Sequence, residues 1–131
     1  MRRWRRSAAE SGAAVVDFVL VSLVLLPLFL GLVHVGLVLY VRNSVSAAAT
    51  EGARYAARLD HGPADGTART RSQLEGVVGS RFVVDVRGRD MVLDGLVVAE
   101  VQVRVRIPPL GLWGPATDLL LVGHGIREVG P

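Results

Sequence analysis

Apolar residues form one long block near the start of the chain. Residues 18–41 carry no formal charge, and Asp17 is the one charged residue between positions 13 and 41. A helix needs about 20 apolar residues to cross the hydrocarbon core of a bilayer, so the pattern predicts a transmembrane helix over residues 13–41. A buried helix of a soluble protein and a cleaved secretory signal peptide are the alternatives. The apolar run is longer than a signal peptide usually has, although small residues follow it at 46–49.

Helical spacing of apolar and small residues continues beyond this block. The pattern between positions 41 and 59 predicts an extracytoplasmic continuation of the helix over residues 42–59. A helix from 13 to 59 would be about 70 Å long at 1.5 Å per residue. Glu51 and Arg54 stand three positions apart, a spacing at which side chains of opposite charge can pair.

Over residues 60–131, segments that interrupt secondary structure alternate with short segments of helical or strand periodicity. This pattern predicts a small extracytoplasmic α+β domain. A turn over 60–66 precedes a short helix that Thr67 would cap and that runs to about residue 78. A strand over 82–86 is expected to end in a turn at 88–90. Residues 96–107 alternate apolar with polar side chains and give the clearest strand, with one face for the helix to cover. An apolar loop at 110–115 and a last strand at 119–129 follow.

The positive charge of the chain is confined to its first residues. Residues 1–12 hold four arginines and one glutamate, whereas residues 13–131 hold eleven arginines and eleven acids. Positive residues beside a membrane span stay on the cytoplasmic side. We therefore expect residues 1–12 to be a cytoplasmic basic leader and the C-terminal domain to lie outside the cell membrane. A nucleic-acid-binding patch is the alternative explanation of this charge, and we expect no nucleic-acid partner.

The composition gives no sign of catalysis. The chain has no cysteine, which excludes thiol chemistry and cysteine-ligated metals. The histidines His34, His61 and His124 fall in the predicted span, a turn and a strand. No catalytic triad, phosphate-binding glycine loop or metal-ligand spacing is present in the sequence. We expect no enzyme, no cofactor and no metal.

The span itself contains a few candidate packing residues. An ionisable group such as Asp17 costs a few kcal/mol in the membrane and usually has a partner. Asp17 either marks the start of the span at the interface or meets a positive group from elsewhere. Gly31 and Gly36 permit close approach of another helix, although their spacing is not that of the common dimer motif.

Two segments resemble a known family. Residues 10–18, ESGAAVVDF, place Gly12 before the apolar run and an acid at the fifth position after it. This resembles the processing site of type IV pilin-like proteins, most closely the TadE-like pseudopilins of tight-adherence pilus systems. Residues 51–57, EGARYAA, follow a small-residue helix, and those proteins carry a similar run; the closing residues 125–128 look like their final strand. The chain departs from the family where Asp17 replaces the usual glutamate and Ser11 the usual basic residue.

The resemblance implies a fold, a processing step and partners. It implies a pilin-like fold of class α+β, in which a long N-terminal transmembrane helix precedes a small antiparallel β-sheet domain. A prepilin peptidase would cut after Gly12 and leave a free amine on Ala13, which Asp17 of the same or a neighbouring subunit would offset. Subunit packing would involve Asp17, Phe18, Gly31 and Gly36. The family motif comprises Glu51, Gly52, Ala53, Arg54 and Tyr55.

The expected function is therefore assembly. The chain would be a minor pilin-like subunit of a tight-adherence or type IV-like pilus or secretion machine, with the membrane, other pilin-like subunits and pilus assembly proteins as partners. The alternative is a single-pass anchored protein whose outer domain binds a ligand or a cell-envelope partner without forming a filament. An Asp17→Ala change separates the two, because a plain anchor should tolerate it.

Overall fold

The computed structural model describes residues 3–109 and 116–130, with side chains from residue 12 onward. It contains two helices followed by three strands. The helices are α1 (Arg3–Ala56) and α2 (Pro63–Val77), and the strands are β1 (Val83–Leu93), β2 (Leu96–Ile107) and β3 (Thr117–Ile126). The predicted loop at 110–115 lies outside the described residues.

The chain divides into two compact units, Met1–Val35 and Gly36–Pro131. The first unit consists of the N-terminal part of α1. Within α1 the segment Gly12–Ala56 is long and apolar enough to cross a membrane, and its most apolar window is unburied. This helix indicates a single-pass membrane anchor, in agreement with the span expected over 13–41.

The second unit contains a three-stranded antiparallel sheet in the order β1-β2-β3. Strands β1 and β2 form a hairpin in which Leu93 pairs with Leu96. The two residues between them, Asp94 and Gly95, have φ angles of 51° and 80°. Two consecutive positive φ angles are typical of the tight turn that matches the twist of a hairpin, and Asp-Gly adopts it readily. The long N-terminal apolar helix and this sheet together give the expected α+β, pilin-like fold.

One face of the sheet is covered by the helices. Alternate residues of β2 from Val101 to Ile107 are fully buried in one core with Val41, Val45 and Ala49 of α1, whereas Ala99 is buried against Ala56 and Ala57. Leu74 of α2 completes the same core. The covering helix predicted from the alternation of residues 96–107 is thus confirmed.

Glycines bring the sheet very close to α1. A Cβ added to Gly125 of β3 would lie 2.5 Å from the carbonyl oxygen of Ala53, and one added to Gly123 would overlap the backbone at Ala49. Only hydrogen in place of a side chain leaves room for this contact. Small residues on both partners therefore set the distance between helix and sheet.

Several predicted boundaries differ from the structure. The turn predicted at 88–90 is wrong, because these residues belong to β1 and the turn lies at Asp94-Gly95. Helix α2 begins at Pro63, four residues before Thr67, with Gly62 as its N-cap; the Asp65 carboxylate accepts a hydrogen bond from the Gly62 N–H at 2.8 Å. Helix α1 ends at Ala56, three residues earlier than expected, and β3 spans Thr117–Ile126 where residues 119–129 were expected.

Candidate functional site

The residues of the expected processing segment all lie on α1. Gly12, Ala13, Asp17 and Phe18 are helical and exposed. Ala13 and Asp17 are four positions apart, so they lie about 6 Å apart along the axis on neighbouring parts of one face. A free amine at Ala13 would therefore be one helical turn from the Asp17 carboxylate. The structure places these residues on one helix, and their role in processing stays a prediction.

Asp17 has no internal counter-charge in the described side chains. Between residues 12–109 and 116–130, five ion pairs form, and none includes Asp17. All five lie in the sheet or just after it. A carboxylate on an apolar helix is an expensive group in a membrane, and no described side chain pairs with this one. A contact of Asp17 with another subunit stays a prediction.

Gly31 and Gly36 also lie on α1 and face open space. A Cβ added to either one would meet nothing within 4 Å. Large apolar side chains such as Leu32 and Leu39 are exposed on the same helix. The two glycines therefore pack against no other described residue. Their contact with a helix of another subunit stays a prediction.

The motif at residues 51–55 separates into buried and exposed members. Gly52 and Ala53 are buried, Gly52 against α2 and Ala53 against β3. A Cβ on Gly52 would lie 2.8 Å from the carbonyl oxygen of Gly66. The two glycines thus let α1 and α2 touch through their backbones. This half of the motif builds the domain.

The remaining members of the motif reach the surface. Tyr55 stacks edge-on against His61, with 4.1 Å between ring centroids. Arg54 is exposed, and Glu51 is half-buried. The expected pair between Glu51 and Arg54 does not form, and neither side chain joins any other ion pair within the described part of the chain.

Glu51 lines a groove between α1 and α2. The groove has a volume of about 590 Å³. Its floor is apolar or small, and its polar groups are Glu51, Ser44 and Gln73. The Gln73 Oε1 atom is buried and has no hydrogen-bond partner in the described structure. The Glu51 carboxylate is therefore the charged group on the wall of a groove that no described side chain fills.

The open face of the sheet carries a charged row that was not foreseen. Register places Arg89 of β1, Glu100 of β2 and His124 of β3 side by side. Arg89 Nε donates to Glu100 Oε1 at 2.7 Å, Gln102 Nε2 donates to the same oxygen, and His124 Nε2 lies 3.1 Å from Oε2. These neighbours cover the Glu100 side chain until only 6 % of it is exposed. A cross-strand row of this kind depends on strand register, which the sequence alone does not specify.

The electrostatics of Glu100 follow from these contacts. Burial by itself raises the pKa of the Glu100 carboxyl, because it disfavours the charged form. Hydrogen bonds from Arg89 and Gln102, the contact with His124 and the charge of Arg89 act the other way and outweigh it. The pKa of Glu100 consequently lies below its ordinary value of 4.5. The row is a stabilising ion-pair network on a solvated face.

No group of three or more metal-ligating side chains comes together within residues 12–109 and 116–130. His34 and His61 each keep a buried Nδ1 without a hydrogen-bond partner there, and they lie on α1 and in the α1–α2 turn.

Fold and site together define a class of protein, a single-pass membrane-anchored protein with a small α+β unit that follows the span in the chain. Residues 12–54 match the model of a family described as TadE-like protein. The match begins at Gly12 and ends within the motif at Arg54, and it confirms the resemblance read from these residues. The match supports the conclusion that the chain is related to proteins of the tight-adherence pilus. No curated protein and no solved structure matches the chain.

Proposed function

We propose that the chain is a minor pilin-like subunit that acts in the assembly of a tight-adherence or type IV-like pilus or secretion machine. The observation that carries the proposal is the family match over residues 12–54, which joins the processing segment to the motif on one continuous helix. In this role the protein acts by packing against other subunits and not by catalysis. The basic leader is cytoplasmic, and the outer domain lies beyond the membrane.

Processing and packing are coupled in this proposal. A prepilin peptidase cleaves after Gly12 and removes residues 1–12, which carry the whole net charge of +3. The new amine at Ala13 and the carboxylate of Asp17 then offset each other between neighbouring subunits. Pairing the two charges lowers a cost that each would bear alone in lipid. Asp17 is therefore an assembly residue.

The test is replacement of Asp17 in the producing cell. Asp17→Ala should abolish surface pili while the protein remains in the membrane at wild-type abundance. Asp17→Glu keeps the carboxylate and should preserve pili, which makes it the matched control. Pili are measured by shearing cells and immunoblotting the filament fraction. Wild-type yields of pili from Asp17→Ala cells would contradict the proposal and favour a plain membrane anchor.

A further inference from the structure

The exposed face of α1 in the outer domain carries two charged side chains without partners. Glu51 and Arg54 form no ion pair with each other or with any residue between 12 and 109 or 116 and 130. Both belong to the segment that matches the family model. Their charges are opposite, so the face is complementary to a copy of itself.

Helix geometry arranges these side chains as an interhelical pair requires. At 3.6 residues per turn, Glu51 and Arg54 project about 60° apart around α1, and Ala47 projects between them. Ala47 is exposed and small, so a second helix can approach closely at this point. Glu51 and Arg54 lie on opposite sides of Ala47 around the helix. When two parallel helices meet along Ala47, each side of one helix faces the other side of its neighbour. Glu51 of each copy thus faces Arg54 of the other.

Anchoring in one membrane places equivalent residues of two copies at the same height. Two copies anchored by the same span run in the same direction, and equivalent residues lie at the same distance from the bilayer. Three residues correspond to a rise of about 4.5 Å, which an arginine side chain spans easily. A two-fold axis parallel to the helices satisfies both contacts at once and closes the pair.

The groove between α1 and α2 is suited to receive the guanidinium group. Glu51 lies on its wall. A guanidinium carries five N–H donors in a planar fork and can donate two of them to one carboxylate. The apolar floor of Leu74 and Ala48 suits the methylene stem of an arginine. The groove therefore offers a charged acceptor and an apolar lining.

We infer that Arg54 of a second copy of this chain inserts into the α1–α2 groove and pairs with Glu51, reciprocally in both copies. The inference rests on the proposed function, because it assumes that copies stand side by side in one membrane. It assigns Glu51 and Arg54 to contact between subunits, while Gly52 and Ala53 build the domain itself.

The test uses the full chain in lipid bilayers and exploits its lack of cysteine. Ala47→Cys introduces a single thiol at the centre of the proposed seam, and a short bismaleimide should join two copies into a covalent dimer. Glu51→Arg or Arg54→Glu added to both copies should lower the dimer yield about fivefold, since each leaves like charges opposed. Glu75→Arg, an equal charge reversal on an exposed position of α2 outside this groove, should leave the yield unchanged.

Mixing the two variants distinguishes contact between copies from contact within one. Copies with Glu51→Arg present only arginines on the seam, and copies with Arg54→Glu present only glutamates. Carrying tags of different size, they should form the mixed dimer at close to the wild-type yield. Failure of the mixture to recover, or absence of any dimer from the Ala47→Cys chain, would overturn the inference. The proposed function is judged separately by the pili of Asp17→Ala cells.

Discussion

Gly66→Ala tests whether backbone contact between α1 and α2 holds the α+β unit together. The added Cβ would lie 2.6 Å from the carbonyl oxygen of Gly52 and 2.7 Å from the Cβ of Ala56. Ordinary contacts of a Cβ begin near 3.4 Å, so α2 has to retreat from α1 by roughly 0.8 Å. The obstacle includes helix backbone, which cannot rotate away as a side chain can.

The loss of unfolding free energy caused by Gly66→Ala follows from this overlap. Overfilling a packed interior by one methyl group costs about 1–3 kcal/mol, and a backbone obstacle favours the upper part of that range. Alanine in place of glycine inside a helix also stabilises the helix by about 1 kcal/mol, because alanine has the higher helix propensity. The net loss of unfolding free energy should be about 1–2 kcal/mol. For a domain of this size each kcal/mol lowers Tm by about 4–8 °C.

Gly76→Ala is the matched control for this measurement. Gly76 lies on the same helix, and a Cβ added there would meet nothing within 4 Å. It should gain about 0.5–1 kcal/mol from helix propensity alone. Thermal unfolding of the full chain in detergent micelles, followed by far-UV circular dichroism, gives both values. Equal shifts of Tm in the same direction for the two variants would refute the tight α1–α2 contact.

The charged row on the open sheet face yields two further predictions. Glu100→Gln should lower the unfolding free energy at pH 7 by about 1–3 kcal/mol, because it removes the charge that Arg89 faces in a covered position; Arg104→Gln on the same face should change it by less than about 0.5 kcal/mol. Since the pKa of Glu100 is lower in the folded chain than the ordinary 4.5, its stabilisation is complete above that pH and is lost as the pH falls below 4.5 towards the folded pKa. The gap between wild type and Glu100→Gln should therefore narrow in acid, and a gap that stays constant down to pH 3 would contradict the network.

The main elements of the fold were predictable because each leaves a periodic signal. Residues 18–41 are 24 uncharged and mostly apolar residues, which indicates a span, and the alternation of apolar with polar side chains over 99–107 indicates a strand covered on one side. The turn near residue 88 was misplaced because Gly88 resembles a breaker. In the folded chain Gly88 lies within β1, where an added Cβ would lie 2.6 Å from the Pro63 carbonyl oxygen. The glycine serves a close approach to α2, and the Asp94-Gly95 pair makes the turn.

The sequence predicts the geometry of the site only where the residues involved are close together in the chain. Gly12, Ala13 and Asp17 lie within two turns of one helix, so sequence spacing fixes their relation. The distinction between Gly52, buried against α2, and Arg54, exposed, depends on where α2 docks. The Glu51–Arg54 pair has the right spacing, yet the side chains remain apart. Spacing permits a contact on a helix without requiring it.

The mass of the protein extracted from the membrane of its own cell tests the central claim most directly. A pilin-like subunit should begin at Ala13, with residues 1–12 and their four arginines removed. A Gly12→Ala chain should keep its leader and accumulate at the full mass. An intact Met1 terminus in the wild-type protein, with no species beginning at Ala13, would contradict the account of a processed, assembling subunit.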